Sequence, residues 1–95
     1  LANKGYVSIH RSIQDNFLWN SDESFSKGQA WIDLILMANH NTRKVMMGGQ
    51  MITVKKGQMI TSVRKLSAKW KWGKDKTLKF LRLLENENML KRDTQ

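Results

Sequence analysis

The chain has 95 residues, 40% of them hydrophobic, which is enough for one domain around a single modest core. It contains no cysteine, and this excludes disulfides, thiolate metal sites and cysteine nucleophiles. Its formal net charge is +9, no apolar run reaches the roughly 18 residues of a membrane span, and the N-terminus lacks the charged-then-apolar layout of a secretion signal.

Residues 1–7 read as a loose lead-in. Residues 8–18 read as a short helix, because Ser8 can cap it and Ile9, Ile13 and Phe17 recur at i, i+4 and i+8. A polar loop follows from Asn20 to Ser24. Ser26 with Gln29 three residues on is a capping-box pair, and it opens a helix to about residue 40. Trp31, Leu34, Ile35 and Ala38 form its stripe, widened by Ile32, Leu36 and Met37. A helix apolar on most sides belongs at the centre of a small core.

The period then changes. Val45 and Met47 alternate with other neighbours, Gly48-Gly49 follows, and Met51 to Val54 is β-rich. This predicts a hairpin, since both glycines can take positive φ. Lys55-Lys56-Gly57 is a second turn, with a short strand at Gln58-Met59-Ile60 behind it. Thr61 or Ser62 caps the next helix, whose stripe is Val63, Leu66 and Trp70. Trp72-Gly73 breaks it. Another helix runs from about Lys74 to Asn86 and buries Leu78, Phe80, Leu81 and Leu84. Asn88 suits a left-handed helix exit, and Met89 to Arg92 begin a strand.

The fold expected is mainly α with a small β-hairpin: a winged helix-turn-helix with an extra N-terminal helix, in one domain over residues 1–95. The last two helices and their Gly-containing connection form the helix-turn-helix. A strand directly after them is where a wing starts. The chain opens on Leu1 rather than Met, so the expectation is an N-terminal fragment of a longer protein with a truncated wing.

The charge is placed unevenly. Residues 1–54 carry five basic and four acidic groups, a net of +1; residues 55–95 carry twelve and four, a net of +8. So one-sided a field attracts polyanions, although a merely solvated basic surface explains the same numbers. The final helix sharpens the point. Lys76, Lys79 and Arg82 fall at steps of three, opposite the leucine side, and Lys74 and Thr77 can reach toward the same partner. Such a helix suits the DNA major groove, with lysines neutralising phosphate and Arg82 doing the same or reading guanine. The helix before it adds Ser62, Arg64 and Lys65, placed to meet the backbone, with Ser62 also serving as a cap. Lys91 and Arg92 lie at the base of the expected wing.

Other constellations read as structural. Trp70 and Trp72 invite base stacking, but Trp70 continues an apolar stripe and Trp72 can seal a helix-helix turn. Gly48-Gly49-Gln50 matches the tripeptide of peptide-release factors, yet between two strand-like runs it reads as a turn. His10 and His40 have no partner at ligand spacing, and no phosphate-loop string occurs. No nucleophile is paired with a base. The expectation is a non-enzymatic chain with no cofactor and no metal.

Several stretches together resemble a known family. They are Tyr6 to Arg11, the Ala30-Trp31-Ile32-Asp33-Leu34 helix, Val54 through Ser62, Leu66 to Trp70, and Lys79 to Glu85. The pattern, over about residues 5–92, resembles the N-terminal winged-helix domain of phage replisome organisers and DnaD-like primosome proteins. The resemblance implies a replication initiator in the cytoplasm of a bacterial host cell. It would bind double-stranded origin DNA and help recruit the replicative helicase or its loader. It also implies self-association, for which the hairpin at 45–54 with its methionines is a candidate surface. Two alternatives stay open: a winged-helix transcriptional regulator, and an oligomerisation or docking module of the primosome.

Overall fold

A computed structural model describes residues 5–92. In chain order these form a short 3-10 helix (Arg11–Asp15), α1 (Lys27–Met37), β1 (Arg43–Met47), β2 (Gln50–Val54), α2 (Val63–Trp70) and α3 (Lys74–Asn86). The architecture is three α-helices with one two-stranded antiparallel sheet.

α1 and α2 begin at the serine caps that the sequence predicts. The Ser26 hydroxyl accepts from Gln29 N–H at 3.1 Å to open α1, and the Ser62 hydroxyl accepts from Lys65 N–H at 3.2 Å to open α2. Such caps satisfy an otherwise orphaned donor and stabilise by about 1 kcal/mol each. α2 ends at Trp70, and its capping residue Lys71, just before the predicted break, takes a left-handed conformation (φ 58°). α3 ends in a Schellman motif: Asn88 (φ 58°) donates to the Glu85 carbonyl and Met89 to that of Leu84.

The hairpin forms around the predicted turn, with Val45 opposite Ile52 and Met47 opposite Gln50. Gly48 and Gly49 have φ of 56° and 78°, the type I′ pattern whose twist matches the strands.

Four expectations need correction. Residues 8–18 give only the five-residue 3-10 helix, capped by His10 rather than Ser8, and Ile9 and Phe17 are exposed. α1 stops at Met37, and Ile35 of its predicted stripe faces out. Residues 58–60 form no strand. Instead Gln58 folds its amide oxygen back to Lys55 N–H, and its carbonyl accepts from Asn39 N–H at 2.9 Å, which ties the turn to the end of α1. Residues 89–92 form no strand either; after the Schellman turn Leu90 packs against the core. Among the described residues the sheet is therefore the hairpin ahead of α2.

The core lies between α1, α2 and α3. Phe25, Ala30, Leu34, Leu66, Trp70, Trp72, Phe80, Leu81 and Leu84 form one cluster. Three rings meet edge to face at its centre: Trp70 and Trp72 at 5.0 Å, Trp72 and Phe80 at 5.2 Å, Trp70 and Phe80 at 5.8 Å. Edge-to-face geometry places the positive rim of one ring on the negative face of the next. Both tryptophans are thus core residues, and their rings do not form an exposed stacking platform.

One polar network locks this core. Asp33 has no exposed surface, although it sits among apolar neighbours on α1. One of its carboxylate oxygens accepts from Gln14 Nε2 and Trp19 Nε1, both at 3.0 Å; the other accepts from Trp70 Nε1 at 2.9 Å and meets Lys69 Nζ at 3.2 Å. Burial, the largest single influence, raises its pKa. The donors from Gln14, Trp70 and Trp19 and the Lys69 charge together outweigh it and hold the carboxyl below the ordinary value of 3.8. The N-terminal segment is fastened by the same logic, since the Arg11 guanidinium donates to the Leu36 and Ala38 carbonyls at the end of α1.

Candidate nucleic-acid interface

α2 and α3 are joined by three residues, Lys71 to Gly73, and pack against each other. Trp72 in the connection is buried, and its indole donates to the Phe25 carbonyl at 2.8 Å. The turn is thereby fixed to the chain ahead of α1, and the orientation of α3 is set by the core.

α3 divides cleanly. Thr77, Phe80, Leu81 and Leu84 are buried. Lys76, Lys79 and Arg82 are exposed and, at about 100° per residue, fall within an arc of about 120° on the far side. Lys76 Nζ lies 4.5 Å over the Trp72 ring, so one cation of this arc is held in place by a buried aromatic. Lys74 is exposed at the start of the helix but off this arc.

Thr77 does not belong to the exposed set. It has no accessible surface, accepts from the Ser67 hydroxyl at 2.8 Å and donates to the Gly73 carbonyl at 3.1 Å. Its hydroxyl joins α2 to α3, a packing role that excludes contact with a partner in this arrangement.

The remaining predicted residues are distributed over neighbouring surfaces. Ser62 and Arg92 line one small hollow near the start of α2 and the end of α3, where Arg92 also lies 3.8 Å from Glu85. Lys65 lines a larger groove of about 590 Å³ together with Arg43 of β1. Arg64 and Lys91 are exposed. The structure therefore gathers Lys76, Lys79 and Arg82 on one helix face and leaves the other cations around it.

Two neighbours of that face were not predicted. Lys27 of α1 lines a cleft with Lys76 and Lys79, and Leu83 lies half-exposed beside them. The juxtaposition of α1 and α3 is tertiary, so no local pattern carries it. Among the described residues no group of three or more His, Cys, Asp or Glu could hold a metal ion, and no helix is long and apolar enough to cross a membrane.

No protein-family model, curated protein or solved structure matches this chain.

Proposed function

We propose that this chain is a duplex-DNA-binding domain that inserts α3 into the major groove, in the manner of a helix-turn-helix. The observation that carries the reading is the division of α3: Lys76, Lys79 and Arg82 on one exposed arc, with the opposite side buried against α2 and the aromatic core. In this reading Arg82 can pair with guanine, while Lys76 and Lys79 neutralise phosphate. Arg64, Lys65 and the Ser62 hydroxyl meet the backbone from α2, and Lys74, Lys91 and Arg92 flank the groove. Thr77 supports the helix from behind. The winged-helix form of the reading adds a hairpin after α3, outside the described residues. From its resemblance to phage replisome organisers, the domain serves a replication initiator that binds origin DNA and recruits a helicase or its loader.

The test is anisotropy of labelled duplex DNA over a salt series, for the wild type and for Lys76→Ala/Lys79→Ala/Arg82→Ala. The expected result is weaker binding by the variant and a shallower dependence of log K on log salt, by up to about 0.9 for each phosphate that is no longer neutralised. Equal affinity and slope for both proteins would sink the assignment of α3.

A second reading has its own observation. Met46 is 72% and Met51 58% exposed on the hairpin, and flexible thioethers on an open two-stranded sheet suit self-association. A concentration-dependent mass that vanishes in Met46→Lys/Met51→Lys supports this interface, and one that persists removes it.

A further inference from the structure

A cleft of about 380 Å³ opens between α1 and α3, lined by Lys27, Lys76, Lys79, Phe80 and Leu83. This volume is at the small end of the range for ligand-binding clefts. Three lysines form its rim, and no acidic residue lines it. Its floor is apolar: Phe80 belongs to the core, and Leu83 is 51% exposed in the midst of the cationic arc. The position of Lys76 over the Trp72 ring holds one of the rim cations in place, which lowers the entropy cost of capturing an anion.

An occupant must satisfy two conditions. Three like charges around one hollow repel, and negative groups between them relieve that repulsion. Phe80 is already buried, and the half-exposed Leu83 gains from an apolar group that covers it. A sugar-phosphate backbone meets the first condition and leaves the second unmet. A short acidic peptide carrying one large apolar side chain meets both.

We propose that this cleft binds an acidic peptide segment of a partner protein. The apolar side chain sits over Leu83 and Phe80, and flanking carboxylates accept from Lys27, Lys76 and Lys79. Peptide binding at the cleft stands independently of the duplex reading; the competition that follows rests on that reading, since the cleft shares Lys76 and Lys79 with the arc assigned to the groove, and a partner carrying such a segment then displaces the domain from DNA.

The probe is a fluorescein-labelled peptide of about ten residues, Asp and Glu around a single phenylalanine, titrated at low salt. Saturable binding is expected. Replacing the peptide's phenylalanine by serine weakens it about tenfold, the contribution of one buried apolar side chain. Leu83→Ser weakens it comparably, and Lys27→Ala weakens it with a shallower salt dependence. Both side chains are exposed, so circular dichroism of the two variants matches the wild type. Duplex affinity of Leu83→Ser falls less than its peptide affinity, because a leucine contributes nothing to phosphate binding and at most one apolar contact with a thymine methyl. Absence of saturable binding overturns the proposal, as does equal binding of the peptide without its phenylalanine. A fall in duplex affinity in Leu83→Ser as large as the fall in peptide affinity also overturns it, by making the cleft part of the DNA interface. Peptide binding by a wild type that ignores duplex at every salt concentration removes the duplex reading and leaves this one standing. Duplex binding without peptide binding does the reverse.

Discussion

Asp33 is a fully buried carboxylate at the centre of the fold's polar network. Its two oxygens receive donors from the N-terminal segment (Gln14, Trp19) and from α2 (Lys69, Trp70), so a single carboxylate joins three parts of the chain. An amide in its place keeps one acceptor oxygen and turns an N–H₂ toward buried donors. Asp33→Asn should therefore destabilise by about 3 kcal/mol, the usual cost of leaving one side of a buried ionic network unpaired; urea unfolding measures it. The pH dependence follows from the depressed pKa. The folded carboxyl titrates below 3.8, so its stabilisation is fully present above that value and is lost as pH falls through the folded pKa. The acid limb of the stability curve should flatten in Asp33→Asn, and an unchanged limb would show that other carboxylates set it. Thr77 makes a second, smaller case. Thr77→Val leaves the Ser67 hydroxyl without its acceptor and removes one of the two donors to the Gly73 carbonyl, which keeps the Thr77 backbone N–H, at a cost of about 1 kcal/mol. Because the side chain is buried, duplex affinity of the folded variant should equal that of the wild type, and a drop in affinity at full stability would return Thr77 to the interface.

At the scale of elements, the parts legible in the sequence are those whose signals are local. Ser26 and Ser62 mark helix starts through bonds that reach three residues ahead. Gly48-Gly49 marks a turn through backbone freedom, and α3 shows its two sides through a period of 3.6. Two of the segments that depart from expectation have hydrogen bonds to distant partners. Ile9, Ile13 and Phe17 have helical spacing, but residues 11–19 are held by side-chain bonds from Arg11, Gln14 and Trp19 to α1, and Ile9 and Phe17 stay exposed. Gln58 bonds across to Asn39, so the β-like residues at 58–60 have no strand to pair with. A lone acid inside the Trp31 to Ile35 run is the one sequence signal of the buried network, and its partners are beyond local reach. The hairpin offers a direct check of the local rules. Both central glycines occupy the left-handed region, where an L-residue costs about 1 kcal/mol or more. Gly48→Ala should speed amide exchange at Val45 and Ile52 without changing protection in α2 and α3, since the hairpin stands apart from the aromatic core. Uniformly faster exchange would instead show that the hairpin and the helices open as one unit.

The whole molecule combines a rigid aromatic core with an uneven charge, and the duplex reading assigns different work to different parts of that charge. Residues 55–95 hold a net of +8 against +1 for residues 1–54, so approach to a polyanion is steered toward the α2 and α3 side. Steering alone is independent of sequence. Arg64 and Lys65 lie in the first turn of α2, and in a helix-turn-helix that position faces phosphates. Arg82 lies on the exposed arc of α3, which the duplex reading places in the groove, where a guanidinium can form two hydrogen bonds with one guanine. Arg64→Ala/Lys65→Ala should therefore weaken binding to every duplex by the same factor and lower the salt slope by up to about 1.8. Arg82→Ala should narrow the gap between the preferred duplex and others, by about 1–3 kcal/mol at the base pair it reads. Anisotropy on a small set of duplexes differing one base pair at a time separates the two effects. If both variants weaken all duplexes equally, α3 binds as a charged rod and the domain has no direct readout. Discrimination abolished in the α2 variant and kept in Arg82→Ala would mean that α2 reads the bases, and the two helices exchange roles.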